Sequence, residues 1–474
     1  MIPPQGFTTA NMDQKKWRLL LFVFLSGLVV ASCKVTQPYR PADVRTADLY
    51  RDVATTDTST IATLPWQELF TDTLLQQLIR EGIRRNLDLQ AAYTRIQQAE
   101  AYYQQSLAVF YPTLNGTVGV TESRLSEAQG FGIRTSATQY QLGVSTAWEA
   151  DIWGRLRSNR RASRASLLQS EAGARAVQTS LLTNIANYYY QLLALDQQLL
   201  ITRQTVVNWD TTVQTMRSLK EAAIVTEAAV VQSEAQRYVA EVTLPDLKQR
   251  IRETENALSV LLGSPPARIA RSTLADQKTL PVLQTGLPAQ LLANRPDVQQ
   301  AEQNYRYYFE LTNVARASFY PSLTLSGSAG FSSLGLVDLL NPVSIAASIG
   351  AGLAQPIFNQ RLNRTRLAVA QAQQQEAALT FQNTLLTAGQ EVSNALFLHE
   401  TALEKIQIRT NQMVALRKSV DYSQELLRNG FANYTEVITA RQSLLQAELG
   451  GINDQLQRLQ SVVNLYRSLG GGWR

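Results

Sequence analysis

This chain has little with which to do catalysis. One cysteine, Cys33, and one histidine, His399, stand among 474 residues. No phosphate-binding glycine loop and no acid cluster at metal-ligand spacing accompany them, and the carboxylates are spread along helical stretches as solvated charges. The expected protein is therefore not an enzyme and has no metal or cofactor. A single cysteine leaves no disulfide within the chain. Charge is sparse, with Asp, Glu, Lys and Arg making 17% of residues. The formal net charge of +6 comes from dispersed basic residues, with no basic run interleaved with aromatics. Nucleic acid is accordingly not an expected partner. Beyond the N-terminus no 18 consecutive residues are apolar, so no transmembrane helix is expected.

The N-terminus carries an address. Lys15, Lys16 and Arg18 precede an apolar or small stretch from Leu19 to Ser32, shorter than the roughly 20 residues that span a bilayer as a helix. It reads as a signal peptide over residues 1–32. The stretch ends Val30-Ala31-Ser32-Cys33, similar to a bacterial lipobox, in which the cysteine thiol takes a covalent lipid. Cys33 is thus the expected lipid attachment site, at the head of an N-terminal extension over 33–65.

What is present is present twice. Asp88, Phe110, Tyr111 and Pro112 recur as Asp297, Phe319, Tyr320 and Pro321, each at an offset of 209 residues. Gene duplication is the simplest cause. Each copy runs from a polar helical stretch through Phe-Tyr-Pro into two short alternating strands and then a long helical stretch. The first repeat is taken as 66–265 and the second as 289–474, with a linker at 266–288.

The strands are expected at 113–121, 139–148, 322–331 and 343–353. Tyr140, Leu142, Val144, Thr146 and Trp148 alternate with Gln139, Gln141, Gly143, Ser145 and Ala147. In the last strand Val343, Ile345, Ala347, Ile349, Ala351 and Leu353 alternate with small residues. Period-two alternation over about 10 residues suits a transmembrane barrel strand and equally a half-buried soluble sheet. Four strands do not close a barrel, which needs at least about eight. In a membrane the strands must be pooled between subunits, and the polar faces favour three copies over two. The hairpin tips, Glu122–Ser136 and Ser332–Asn341, would then be extracellular loops.

The helical stretches decide more. From about Leu156 to Leu219 no proline occurs, and Leu181, Ile185, Tyr188, Leu192, Leu195 and Leu199 form a heptad-like seam. Residues 361–428 match it through Leu385, Val392, Leu396, Leu403, Ile406 and Met413. Each would extend roughly 95–100 Å if straight. Return helices are expected at 227–262 and 434–469, the first kinked by Pro245. His399 lies at seam spacing and is read as packed.

The residues now carry a family resemblance. The chain resembles the TolC superfamily of outer-membrane efflux channels, in its lipid-anchored OprM/NodT-like class. The resemblance rests on Trp66-Gln-Glu68-Leu-Phe70 with Asp72, Leu262-Gly263-Ser-Pro265-Pro266, Asn294-Arg295-Pro296-Asp297-Val298, both Phe-Tyr-Pro stretches and Gly430 to Glu448. It implies an α+β membrane protein with internal duplication. Long antiparallel coiled-coil helices would form a periplasmic α-barrel, and a homotrimer would pool four strands each into one transmembrane β-barrel. The implied function is the passive outer-membrane duct of a tripartite efflux system for drugs, toxic compounds or metals. Its implied partners are a periplasmic adaptor protein and an inner-membrane transporter of resistance-nodulation-division or ABC type. A type I protein-secretion duct is the alternative within that class. A coiled-coil surface adhesin or spacer lipoprotein is the alternative outside it.

The resemblance also implies that the helix tips meet the adaptor and form the periplasmic gate, through Glu227, Gly430, Tyr434, Glu436, Val437 and Thr439. Gly430 can take the left-handed conformation that ends a helix, and Thr435 or Asn433 can begin the next. Glu436 matches a family acid of the constriction; a second acid is replaced by Thr439, and lock partners of some members fall on Leu427 and Ala432. Trp148, Trp153, Phe358, Arg155 and Arg157 fall where strands should leave the bilayer, with Arg160, Arg161, Arg164, Arg361, Arg364 and Arg366 nearby. They are the expected membrane-interface residues, aromatic and basic as lipid headgroups require.

Overall fold

The computed structural model describes residues 35–42, 44, 49–51, 58–124, 136–278 and 284–474. The expected signal peptide and Cys33 lie outside the described residues, as does most of the first hairpin loop. After short helical turns at Ile61–Thr63 and Trp66–Leu69 come α1 (Thr73–Arg85), α2 (Leu87–Ala108), β1 (Thr113–Arg124) and β2 (Ser136–Ala150). Then follow α3 (Arg155–Glu221) and α4 (Glu227–Leu261). The second half gives α5 (Pro296–Ala317), β3 (Ser322–Ser333), β4 (Ile345–Ala354), α6 (Leu362–Arg428) and α7 (Tyr434–Ser468).

The duplication is visible in lengths. Helices α2 and α5 have 22 residues each, α3 and α6 have 67, and α4 and α7 have 35. The helix offset is 209 before the strands and 207 after them. The hairpins absorbed the difference, as surface connections tolerate.

The strands run longer than expected at five ends, and β4 starts later. Asn341 accepts from the Val343 amide and caps a 3-10 turn at Pro342–Ser344, so Val343 and Ser344 stand before the strand. Pro245 does not end its helix: α4 continues through it. An interior proline costs about 3 kcal/mol, and the packing of Ala240 and Leu247 on either side, both buried, offsets the lost bond.

Contacts divide the chain into two units. Of the described residues, one unit holds those of 35–41, 101–165 and 305–376, and the other those of 42–100, 166–304 and 377–474. In the first, β1-β2-β3-β4 form one antiparallel sheet in chain order. In the second, both repeats build one core from Trp66, Phe70, Leu75, Ile79, Leu182, Ile185, Tyr189, Leu258, Leu385, Val392, Leu465 and Tyr466. Each such burial stabilises by about 1.5–3 kcal/mol. His399 is part of this packing, half-buried, with Nδ1 3.0 Å from the Ser461 hydroxyl. Burial and the nearby Arg458 charge lower its pKa, so neutral imidazole is the favoured form.

Each repeat also closes in the same way. Asn86, ahead of α2, donates from Nδ2 to the Leu261 carbonyl at the end of α4. Arg295, ahead of α5, donates from Nη1 to the Ser468 carbonyl at the end of α7. Gly263 and Gly470 follow those helices at φ +64° and +93°, and a Cβ on either would stand 2.5 Å from the carbonyl oxygen of Arg85 or Asn294. Two different residues thus satisfy the same orphan carbonyl.

Candidate functional site

In an antiparallel pair, directly opposed residues share a face. The register sets Leu114 opposite Thr146, Val118 opposite Leu142 and Val120 opposite Tyr140. It continues with Trp148 opposite Leu325, Val144 opposite Ala329 and Leu142 opposite Phe331. Leu323 meets Leu353, Leu325 meets Ala351 and Gly327 meets Ile349. The apolar sets of all four strands therefore lie on one face. That face is open: Val118 is 82% and Ile349 97% exposed. The opposite face carries Asn115, Thr117, Gln139, Gln141, Ser145, Ser326, Ser328 and Ser348, with Ser328 and Ser348 hydroxyls 2.8 Å apart. An apolar surface of this extent is an interaction surface, not a folding accident. Strands of 10–15 residues reach the length that a tilted transmembrane strand needs. Strands β1 and β4 are the sheet's edges, so further pairing is open to them.

At the base of the sheet the aromatic residues are fixed by their polar ends. Trp148 Nε1 donates to the Phe110 carbonyl and Trp153 Nε1 to the Pro321 carbonyl, at 2.9 and 2.7 Å. Trp153 stacks on Tyr320 with ring centroids 4.9 Å apart. The two tryptophans thus bind the Phe-Tyr-Pro stretches to the junction, a link that sequence spacing did not reveal. Phe358 is 85% exposed. Arg155 and Arg157 are neutralised, by Glu149 at 2.5 Å and Asp151 at 3.0 Å. Asp151 also accepts from the Leu156 and Arg157 amides and so caps α3. Arg161 pairs with Glu310, whose side chain is buried. The basic cluster that opens α3 is therefore largely internal wiring. Gly154, at φ +78°, leaves room for Thr36, whose hydroxyl would be 3.2 Å from a Cβ there. Gln37 next to it exchanges two hydrogen bonds with the buried Asn313 side chain.

The helix tips are two five-residue links. Gly430 sits at φ +76°, and its amide and that of Phe431 donate to the Leu427 and Leu426 carbonyls. This is a Schellman turn. Asn433, not Thr435, begins α7, its Oδ1 accepting from the Thr435 amide. The first tip makes the same turn, with the amides of Ala223 and Ile224 donating to Lys220 and Leu219. Ala223 holds the left-handed position, φ +60°. No residue-type signal announces that.

Around the tips, Met216, Ala229, Val230, Leu427 and Val437 form a buried cluster with Tyr434 packed against it. Val437 is 2% exposed and belongs to this packing rather than to a contact surface. Leu427 is buried in the same cluster. Gly430, Glu436 and Thr439 are exposed. Thr439 spends its hydroxyl on the Thr435 carbonyl at 2.8 Å. Glu227 is exposed and paired with Lys220, whereas Glu436 and Glu221 are exposed and have no ion pair or side-chain hydrogen bond among the described residues.

Among the described residues no helix is long and apolar enough to cross a membrane and no group of His, Cys, Asp or Glu is placed to hold a metal ion. The family model for "Outer membrane efflux protein" matches residues 78–264 and 287–471, so both repeats are covered. The solvent efflux pump outer membrane protein SrpC of Pseudomonas putida is 31% identical over 410 residues, covering 86% of this chain and 87% of its own. The cation efflux system protein CusC of Escherichia coli is 29% identical over 417 residues, covering 86% and 88%. A membrane protein of Pseudomonas aeruginosa superposes with a TM-score of 0.86 at 26% identity, over 93% of this chain and 98% of its own. The chain belongs to the outer membrane efflux protein family.

Proposed function

We propose that this protein is the outer-membrane duct of a tripartite efflux system, working as a homotrimer. The observation that carries the reading is the single apolar face of a four-stranded sheet with two open edges, joined in one chain to a pair of 67-residue helices. Three copies pair β4 of one with β1 of the next and close twelve strands, apolar side to lipid and polar side to the lumen. The long helices then serve as the periplasmic conduit. Relatives named for solvent and for cation pumps share this architecture, so selectivity resides in the pump and the duct is passive. Energy enters at an inner-membrane transporter, of resistance-nodulation-division or ABC type, through a periplasmic adaptor that meets the exposed tips. Glu436, exposed on each α7, would form a ring of three acids that repel when close, and that favours cations or holds the gate through hydrogen bonds.

Cys33 is proposed to carry the lipid. Three residues reach at most about 11 Å, and Thr36 packs at Gly154, beside Trp153 and the end of the sheet. A lipid on Cys33 would thus enter the bilayer at that junction. Trp148, Trp153 and Phe358 serve as interface anchors, while Arg155 and Arg157 hold the junction together.

The test is single-channel conductance of the detergent-purified protein in a planar bilayer, with its mass read on a native gel. A trimer with discrete openings supports the duct. A monomer without conductance at any voltage would sink it and leave a coiled-coil surface lipoprotein. Glu436→Ala should then raise resting conductance or antibiotic leakage.

A further inference from the structure

Charge is not evenly spent on the two return helices. Beside α3 and α4 lies a groove of about 750 Å³, lined by Asp196, Leu199, Lys248, Gln249, Ile251, Arg252, Glu255 and the chain at Arg268–Arg271. Its floor is finished. Arg271, 13% exposed, forks onto Asp196 at 2.5 and 3.0 Å and reaches Glu255 and the Ile269 carbonyl at 2.5 and 2.9 Å. The hydrogen bonds that Arg271 donates to Asp196 and to Glu255 outweigh burial and raise its pKa, so the guanidinium stays charged while both acids are engaged. Lys248, Arg252 and Arg268 on the rim are exposed and have no ion pair or side-chain hydrogen bond among the described residues. The lining therefore presents Lys248, Arg252 and Arg268 around Leu199, Ile251 and Ile269, with four cations in all against two carboxylates.

The duplicate position does not repeat these charges. At the helix offset of 207, Asp196, Lys248, Arg252 and Glu255 correspond to Leu403, Gln455, Leu459 and Val462. Leu459 and Val462 are buried in the core of the second repeat. At two of the four positions the second copy buries an aliphatic side chain where the first has Arg252 and Glu255, while Leu403 and Gln455 are exposed and uncharged.

We propose that the groove docks an acidic, leucine-punctuated segment of a partner protein, its carboxylates on Lys248, Arg252 and Arg268 and its apolar side chains on Leu199, Ile251 and Ile269. Its volume falls in the range of sites that bury a ligand. The arginine forks suit carboxylates, and the interleaved aliphatic surface favours a peptide over a purely charged polymer. This surface is separate from the tips, and its occupant does not depend on the cargo of the duct.

The experiment uses the full protein in lipid nanodiscs and a fluorescein-labelled peptide of mixed glutamate and leucine, followed by anisotropy. The expected result is binding that weakens with added salt and falls at least tenfold in the triple variant Lys248→Gln, Arg252→Gln, Arg268→Gln. Oligomer mass and conductance of that variant should match those of the parent. Equal binding by parent and variant, or no binding, overturns the proposal. Loss of the trimer in the variant also overturns it, because the face would then be a contact between copies. An all-glutamate peptide that binds as tightly as the mixed one removes the leucine-punctuated partner.

Discussion

The two repeats share their backbone and differ in their charges. Equal lengths of 22, 67 and 35 residues in each copy show that the duplicated plan has been kept to the residue in these three helix pairs. The arginines that follow the strands have gone separate ways. After β2, Arg155, Arg157 and Arg161 each hold a carboxylate. After β4, Arg361, Arg364 and Arg366 are exposed without an ion pair among the described residues. Length is held by packing of both repeats in one core, which punishes any change in register. Surface charge is worth about 0–1 kcal/mol per pair and is free to drift toward each repeat's own task.

The strongest way to break the comparison is at the closure. Arg295, 6% exposed, binds Asp297, Glu391 and the Ser468 carbonyl, whereas Asn86 caps α2 and binds the Leu261 carbonyl. Arg295→Met should cost about 3 kcal/mol, because it strands Asp297 and the Ser468 carbonyl, while Glu391 keeps Arg467. Asn86→Ala should cost only about 1–2 kcal/mol. The readout is the temperature at which the oligomer band is lost on a native gel. Equal losses would mean that the arginine is no more than a cap.

Gly263→Ala and Gly470→Ala test the same closure from the other side. Both positions are left-handed with a carbonyl 2.5 Å from the added carbon, so each should cost about 3 kcal/mol. If only one variant loses heat resistance, the two closures are not equivalent.

Much of this was legible beforehand. Alternation placed the apolar face of every strand, and absence of proline with a heptad seam placed the 67-residue helices. Other features were hidden for physical reasons. Arg295 and Asn86 do one job with unlike side chains, so no match between copies exposes it. The ion pairs of Arg155 and Arg157 reach back six residues across a strand-to-helix turn, a spacing with no periodicity. Val437 looked like a surface residue because sequence cannot tell which side of a tip faces the other hairpin. The start of β4 was misplaced because Val343 continues the alternation while Pro342 and the Asn341 cap bend the backbone.

Acid should separate two carboxylates next. Burial raises the pKa of Asp72, but bonds from Ser272, Tyr189, Gln277 and the Leu74 amide outweigh it and leave the pKa lowered. For Asp297 burial is likewise outweighed, by the bond and charge of Arg295. A lowered folded pKa gives stability that is full above the unfolded value of about 3.9 and is lost as pH falls through the folded one. Heat resistance should thus hold near about pH 5 and drop below about pH 4. Salt at about 1 M should weaken the Asp297 part, which rests on charge, more than the Asp72 part, which rests on neutral donors. In Asp297→Asn the remaining acid loss should become insensitive to salt; retained sensitivity would count against this division.

The smallest effect sharpens the tips. Ala223 and Gly430 occupy the same left-handed position of the same turn, φ +60° and +76°. A left-handed non-glycine residue costs about 1–2 kcal/mol, and glycine returns part of that through its greater freedom when unfolded. Ala223→Gly should therefore stabilise the first tip by about 0.5–1 kcal/mol, and Gly430→Ala should destabilise the second by as much. Hydrogen exchange of the tip amides reads this directly, slower at Ile224 in the first variant and faster at Phe431 in the second. If the first repeat keeps a strained turn because the tip must yield to a docking partner, Ala223→Gly should also lower efflux while protecting the tip. Unchanged efflux with a protected tip would show the alanine to be a tolerated relic of drift, and would assign the working tip to the second repeat.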